Sequence, residues 1–247
     1  MNNGATPRDA HAAATGSSAK ENVFLFVPNL IGYARVVLAV LSLLVMTDRP
    51  LLCVALYCVS CLLDAVDGNA ARYFDQCSRF GAVLDMVTDR STTTCMLCYL
   101  ATAYPQFAVA FQLLISLDFS SHYMHMYSSL VTGAASHKLI AKSRSAILRA
   151  YYSNNNVLFL FCAGNELYFV ALYLLSFVNA STATVTDASL PAWLPVSALY
   201  WLAYISFPIC AGKQLISVIQ MVGASRALAD KDIAERAEKR LAAQHRD

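Results

Sequence analysis

Charge is what this chain has little of. Of its 247 residues only 14% are Asp, Glu, Lys or Arg, against about a quarter in an ordinary soluble domain. The 18 basic and 16 acidic side chains leave a net charge of +2. No broad basic field is present to hold a nucleic acid, and none is expected as a partner. The first twenty residues, rich in Ala, Asn, Ser and Thr, contain no apolar core of the kind a cleaved signal peptide needs. No solenoid-type repeat is visible. The eight cysteines include the C-x-x-C pairs Cys58/Cys61 and Cys95/Cys98. Seven of the eight lie inside apolar runs, where cysteine behaves as a small hydrophobe. Neither a zinc site nor a disulfide framework is expected.

What the chain has is apolar length. Hydrophobic residues make up 57%, and they gather into runs long enough to cross a bilayer, which takes about 20 residues. Six spans are predicted, at Pro28–Thr47, Leu51–Ala71, Phe80–Ala103, Phe107–Val131, Val157–Val178 and Leu194–Val222. The fold class is therefore all-α, a polytopic membrane protein of six transmembrane helices. Residues 1–21 are expected to form a disordered cytosolic tail, 22–222 the membrane domain, and 223–247 a charged cytosolic helix or tail. Six spans place fourteen Lys and Arg on the face that holds both termini and only Arg49 on the other. Positive charge stays on the cytosolic side, so both termini are expected there. Asn179-Ala180-Ser181 is a glycosylation sequon on the opposite side. It abuts the fifth span, a poor place for a bulky sugar, and its use is not expected.

Ionised groups deep in a bilayer cost several kcal/mol, so each asks for a reason. The second and third spans carry four aspartates. Asp64 and Asp67 are three apart and Asp85 and Asp89 four apart, so each pair lies on one helical face. The short link around Asp75-Gln76-Cys77 makes the two helices antiparallel neighbours, and all four acids lie near it. Converging carboxylates repel unless cations neutralise them. Magnesium takes carboxylate oxygens together with substrate phosphates, and a pair of such ions can clamp a phosphoryl group. Gly68 and Gly81 leave room for a ligand to approach the backbone, and Arg72, one turn after Gly68, can reach phosphate. Taken alone, the acids are equally compatible with an ion path or with interfacial residues in water.

The complete spacing is Asp64-x2-Asp67-Gly68-x2-Ala71-Arg72-x8-Gly81-x3-Asp85-x3-Asp89, eight defined residues within 26 positions. It resembles the signature of the CDP-alcohol phosphatidyltransferase family at every fixed position. The resemblance implies that Asp64, Asp67 and Asp85 bind metal, that Asp89 is the catalytic base and also touches metal, and that Gly68, Ala71, Arg72 and Gly81 line the CDP site. It implies Mg2+ or Mn2+ as cofactor, two ions, and a homodimer in the endoplasmic-reticulum membrane. Val27–Arg35, Leu62–Ala65, Phe80–Met86, Ser116–Asp118 and Ala163–Leu167 are similar to the eukaryotic branch whose acceptor is myo-inositol. That branch moves the phosphatidyl group of CDP-diacylglycerol to inositol and releases CMP. The likeness runs from about Asn22 to Ala229. It places Asn29 and Arg35 at the CDP-lipid, with Arg35 near substrate phosphates or orienting the motif carboxylates.

Inositol is uncharged and rich in hydroxyls, so its pocket should offer several hydrogen-bonding side chains. Asp118, His122 and His125 share one face of the fourth span, with Ser121 and Ser128 alongside. Asp118, Ser121 and His122 are acceptor-site candidates, the other reading being an interhelical hydrogen-bond network, which is preferred for His125. Glu166 either completes the pocket or pairs with Lys213. Arg144 and Arg149 are candidates for substrate phosphate or for anionic headgroups. Two alternatives stay open: the same chemistry with glycerol phosphate, inositol phosphate, serine, ethanolamine or choline as acceptor, or a divalent-cation transporter.

Overall fold

A computed structural model of the chain describes residues 21–132, 151, 154–179 and 194–244. Among these residues there are six long helices and no strand: α1 Val27–Leu44, α2 Pro50–Tyr73, α3 Arg79–Ala103, α4 Ala108–Val131, α5 Asn155–Asn179 and α6 Val196–Gln244. Single 3-10 turns at Val23–Leu25 and Pro105–Phe107 precede α1 and α4. Four of the six, α1, α2, α5 and α6, are long and apolar enough to cross a membrane. α3 and α4 are as long but more polar. α3 carries Asp85, Asp89 and Arg90, and α4 carries Asp118, His122 and His125 among many serines. Large apolar residues stand exposed along α1 and α2, including Val37, Leu44, Leu52 and Leu62. A continuous apolar exterior of this kind belongs in lipid rather than water.

The helix boundaries follow local chemistry. Pro50 opens α2, where a missing N–H costs nothing. Beyond the end of α2, Asp75 adopts φ 53°, the left-handed conformation, and the Gln76 N–H returns to the Ala71 carbonyl at 2.9 Å. This closes the helix in the manner of a Schellman turn. The Gln76 side chain then accepts the Val27 N–H at 2.8 Å, satisfying one of the orphan donors that begin α1.

The chain divides into two compact units. One comprises Met1–Ser42 with Ala55–Asp89, the other Leu43–Val54 with Arg90–Asp247. The first holds most of α1 and α2 and the opening half of α3. In the second, α5 packs on α6 so closely that a Cβ on Gly164 would meet Ile209 Cγ2 at 2.6 Å, the small-residue contact that lets membrane helices approach. Tyr151 and Ile216 form a buried cluster with Val157, Leu158, Phe161 and Ile219. Tyr173, wholly buried, donates to the Met46 carbonyl at 2.5 Å, in the turn that follows α1. None of the eight cysteines forms a disulfide.

Candidate active site

The first unit gathers all four motif aspartates around one arginine. Asp64 and Asp67 come from α2 and Asp85 and Asp89 from α3, at the ends nearest the Phe74–Ser78 link. Arg35, from α1, is buried at 2% exposure. Its Nη1 lies 2.9 Å from Asp64, 2.7 Å from Asp67 and 2.7 Å from Asp85, and its Nη2 bonds Asp89. The Arg35 backbone carbonyl accepts from Ser60 Oγ at 3.2 Å, which ties α1 to α2 independently of the guanidinium.

Asp64, Asp67 and Asp85 present oxygens that all lie within 4.8 Å of one another. The donor set is entirely hard carboxylate oxygen, which suits Mg2+ or Mn2+ and not a soft metal. Asp67 is buried while Asp64 and Asp85 are partly open, so the set has a closed side and an open side.

A cleft of about 230 Å³ adjoins the aspartates. Asn29, Gly68, Ala71, Arg72 and Gly81 line it, together with Asp67 and Asp85. Every residue expected at the CDP-lipid, apart from the enclosed Arg35, is therefore on the wall of one cavity. Arg72 stands beside Gly68, as their four-residue spacing requires, with Nη1 3.7 Å from the position a Cβ would take there. Its Nη2 donates to Asn69 at 2.6 Å, and the pair is exposed. Asn29 is buried, its amide donates to the Val23 carbonyl at 2.5 Å, and its Oδ1 has no hydrogen-bond partner among the described residues. A buried acceptor left in this state costs about 1–3 kcal/mol.

The second unit holds the acceptor candidates. Asp118 receives Arg90 Nη1 at 2.8 Å, and the same nitrogen reaches His122 Nε2 at 3.2 Å. Arginine has only donors, so Nε2 accepts, and His122 carries its proton on Nδ1, which faces the Asp118 carbonyl at 2.8 Å. Ser121 Oγ lies 3.2 Å from His122 Nδ1. Glu166 accepts from Thr93 at 3.2 Å and from the Asn165 amide at 3.1 Å. Gln214 donates to Asn165 at 2.9 Å. Lys213 is buried within electrostatic reach of Asp118 and Glu166. Arg90, Thr93 and Gln214 were not among the site residues expected from the sequence. The signal available was a cation, Arg90, within one apolar span and an acid, Asp118, within the next. Arg144 and Arg149 lie outside the described residues.

Residues 25–223 match the CDP-alcohol phosphatidyltransferase family, and the chain belongs to that family. Among characterised proteins it is 51% identical over 221 residues to the CDP-diacylglycerol–inositol 3-phosphatidyltransferase of Schizosaccharomyces pombe, covering 87% of this chain and 93% of that one. The protein of the same name from Homo sapiens is 46% identical over 220 residues, covering 89% and 99%. That from Saccharomyces cerevisiae is 45% identical over 219 residues, covering 89% and 93%. No solved structure matches the chain.

Proposed function

We propose that this protein transfers the phosphatidyl group of CDP-diacylglycerol to myo-inositol, forming phosphatidylinositol and CMP. The observation that carries the reading is the convergence of Asp64, Asp67, Asp85 and Asp89 beside a cleft walled by Gly68, Ala71, Arg72 and Gly81. The names of relatives at 45–51% identity over nearly their whole length support inositol as the acceptor.

Asp64, Asp67 and Asp85 would hold the divalent ions, two in number, with Asp89 at their edge. Bound there, such ions neutralise the pyrophosphate and stabilise the leaving CMP. The cleft takes the CDP group, with Arg72 at its phosphates and Asn29 on its wall. Asp89 takes the proton of the attacking hydroxyl. The inositol oxygen bonds to the phosphorus that carries diacylglycerol, and the bond from that phosphorus to the CMP oxygen breaks. A carboxylate suits this proton transfer because the hydroxyl becomes acidic only as the new bond forms. No covalent enzyme intermediate is required. The candidates for binding the acceptor are Asp118, Ser121, His122 and Glu166, with Arg90, Thr93 and Lys213 beside them within the second unit. Arg144 and Arg149 serve the phosphates or the headgroup surface.

All six helices cross the membrane in this reading. Asp85 and Asp89 on α3, and Asp118 and His122 on α4, are tolerated because each has an arginine partner. Residues 22–222 form the catalytic domain, 1–21 a cytosolic tail and 223–247 a charged cytosolic extension, of which the part to Gln244 continues α6. Family kinship supports an endoplasmic-reticulum membrane location and a homodimer.

The test is incorporation of labelled inositol into lipid by the purified full chain, given CDP-diacylglycerol and Mg2+ or Mn2+. Glycerol phosphate, inositol phosphate, serine, ethanolamine and choline are run in parallel. Lipid labelling from one of these and not from inositol would reassign the acceptor. Metal flux into vesicles without CMP release would favour a transporter instead.

A further inference from the structure

The first unit sets one nitrogen among three acids. Arg35 Nη1 lies 2.9, 2.7 and 2.7 Å from oxygens of Asp64, Asp67 and Asp85. That nitrogen carries two hydrogens, so three carboxylates cannot each take a well-aligned one. The arrangement is that of anions packed about a cation. The same three carboxylates are the ones whose oxygens lie within 4.8 Å of one another. An ion held by these three carboxylates would draw on acids that Nη1 already engages, so the two cations compete for one set of ligands.

We propose that Arg35 is an internal counter-cation that holds the metal-free site together and competes with divalent ions for Asp64, Asp67 and Asp85. The proposal rests on the reading of those aspartates as metal ligands. With all four carboxylates ionised, the single guanidinium leaves three formal negative charges. The arginine therefore relieves part of the repulsion between α2 and α3 without quenching the attraction for metal. Metal entry must break at least some of the Nη1 contacts, and their loss is subtracted from the metal's binding energy. Arg35 Nε, buried and without a hydrogen-bond partner among the described residues, indicates that the guanidinium is placed by the carboxylates at the expense of its other donor. Arg35 is thus a positioning residue. Because the Ser60 bond uses only the Arg35 backbone, replacing the side chain leaves that link between α1 and α2 in place.

The experiment measures Mn2+ binding to the purified full chain in lipid nanodiscs without substrate, and thermal unfolding with chelator and with saturating Mn2+. Arg35→Gln, Arg35→Lys and Asp64→Asn are compared with the unaltered protein. The expected result is that Arg35→Gln binds Mn2+ roughly ten-fold or more tightly. It should also melt lower than the unaltered protein in chelator, with the deficit shrinking when Mn2+ is added. Should Arg35→Gln not fold, Arg35→Lys decides. Its single ammonium cannot bridge both aspartate pairs, so its Mn2+ affinity should also rise. An affinity that is unchanged or weaker in the folded variant overturns competition and leaves the arginine a scaffold. An equal loss of stability with and without Mn2+ overturns it too. If the unaltered chain binds no Mn2+, or Asp64→Asn binds it as well, the metal reading itself falls and the proposal falls with it.

Discussion

A methyl group on Gly81 would lie 2.6 Å from Oδ1 of Asn29, so α3 meets α1 at a distance that a side chain on this residue would not permit. Asn29 is buried and anchored through its amide, and it cannot turn aside cheaply. Gly81→Ala is expected to destabilise the protein by about 1–3 kcal/mol and to narrow the CDP cleft, raising KM for CDP-diacylglycerol. Combining it with Asn29→Ala removes the clashing oxygen, so the double variant should lose less stability than the sum of the singles. Additive losses in thermal unfolding would show that the contact is not the cause.

Asp89→Asn should lower turnover by about 10²–10⁴-fold, the range that a positioned base contributes, and leave CDP-diacylglycerol binding largely intact. The amide keeps the shape but cannot take the hydroxyl proton. Rates within a few-fold of the unaltered enzyme under saturating substrates would remove Asp89 from that role.

Arg90 and Asp118 form a mostly buried pair at 2.8 Å. Breaking such a pair from one side costs about 3–5 kcal/mol, because the partner is left charged and enclosed. Arg90→Gln and Asp118→Asn should each be costly, and together cost clearly less than their sum. Asp118 Oδ2 is buried with no hydrogen-bond partner among the described residues, an acceptor that the proposed reading gives to an inositol hydroxyl. Asp118→Asn is therefore also expected to raise KM for inositol and leave KM for CDP-diacylglycerol unchanged. Equal effects on both substrates would separate Asp118 from acceptor binding.

Tags on either terminus should be open to antibody when only the plasma membrane is permeabilised. The expectation comes from the fourteen-to-one distribution of Lys and Arg between the two faces. Protection of either tag until the internal membranes are dissolved would contradict the six-span arrangement.

The aspartate cluster was legible because helical spacing alone puts Asp64 with Asp67 and Asp85 with Asp89, and the short link turns the pairs together. Arg35 was legible in part: an arginine within an apolar run needs a partner, but nothing in the spacing shows that it takes all four acids at once. The helices were legible from their apolar runs, whereas α3 and α4 are too polar to count as spans by composition. The same acids and hydroxyls that mark those helices as functional dilute their apolar signal. The Arg90–Asp118–His122 group was only half visible. His122 and Asp118 share a face by periodicity, but Arg90 reaches them from another helix, and side-chain contact between helices leaves no period in a sequence.

The bond from Tyr173 to the Met46 carbonyl joins residues 127 positions apart. A carbonyl without a partner is costly wherever water is excluded. The ribosome makes the turn after α1 long before it makes Tyr173. Until then that turn has to stay wetted, and the seat for it closes only when α5 arrives. The order of synthesis is therefore written into the fold: the first hairpin is inserted early and its loop is sealed late, so a nascent chain that stops before α5 carries an unsealed first turn.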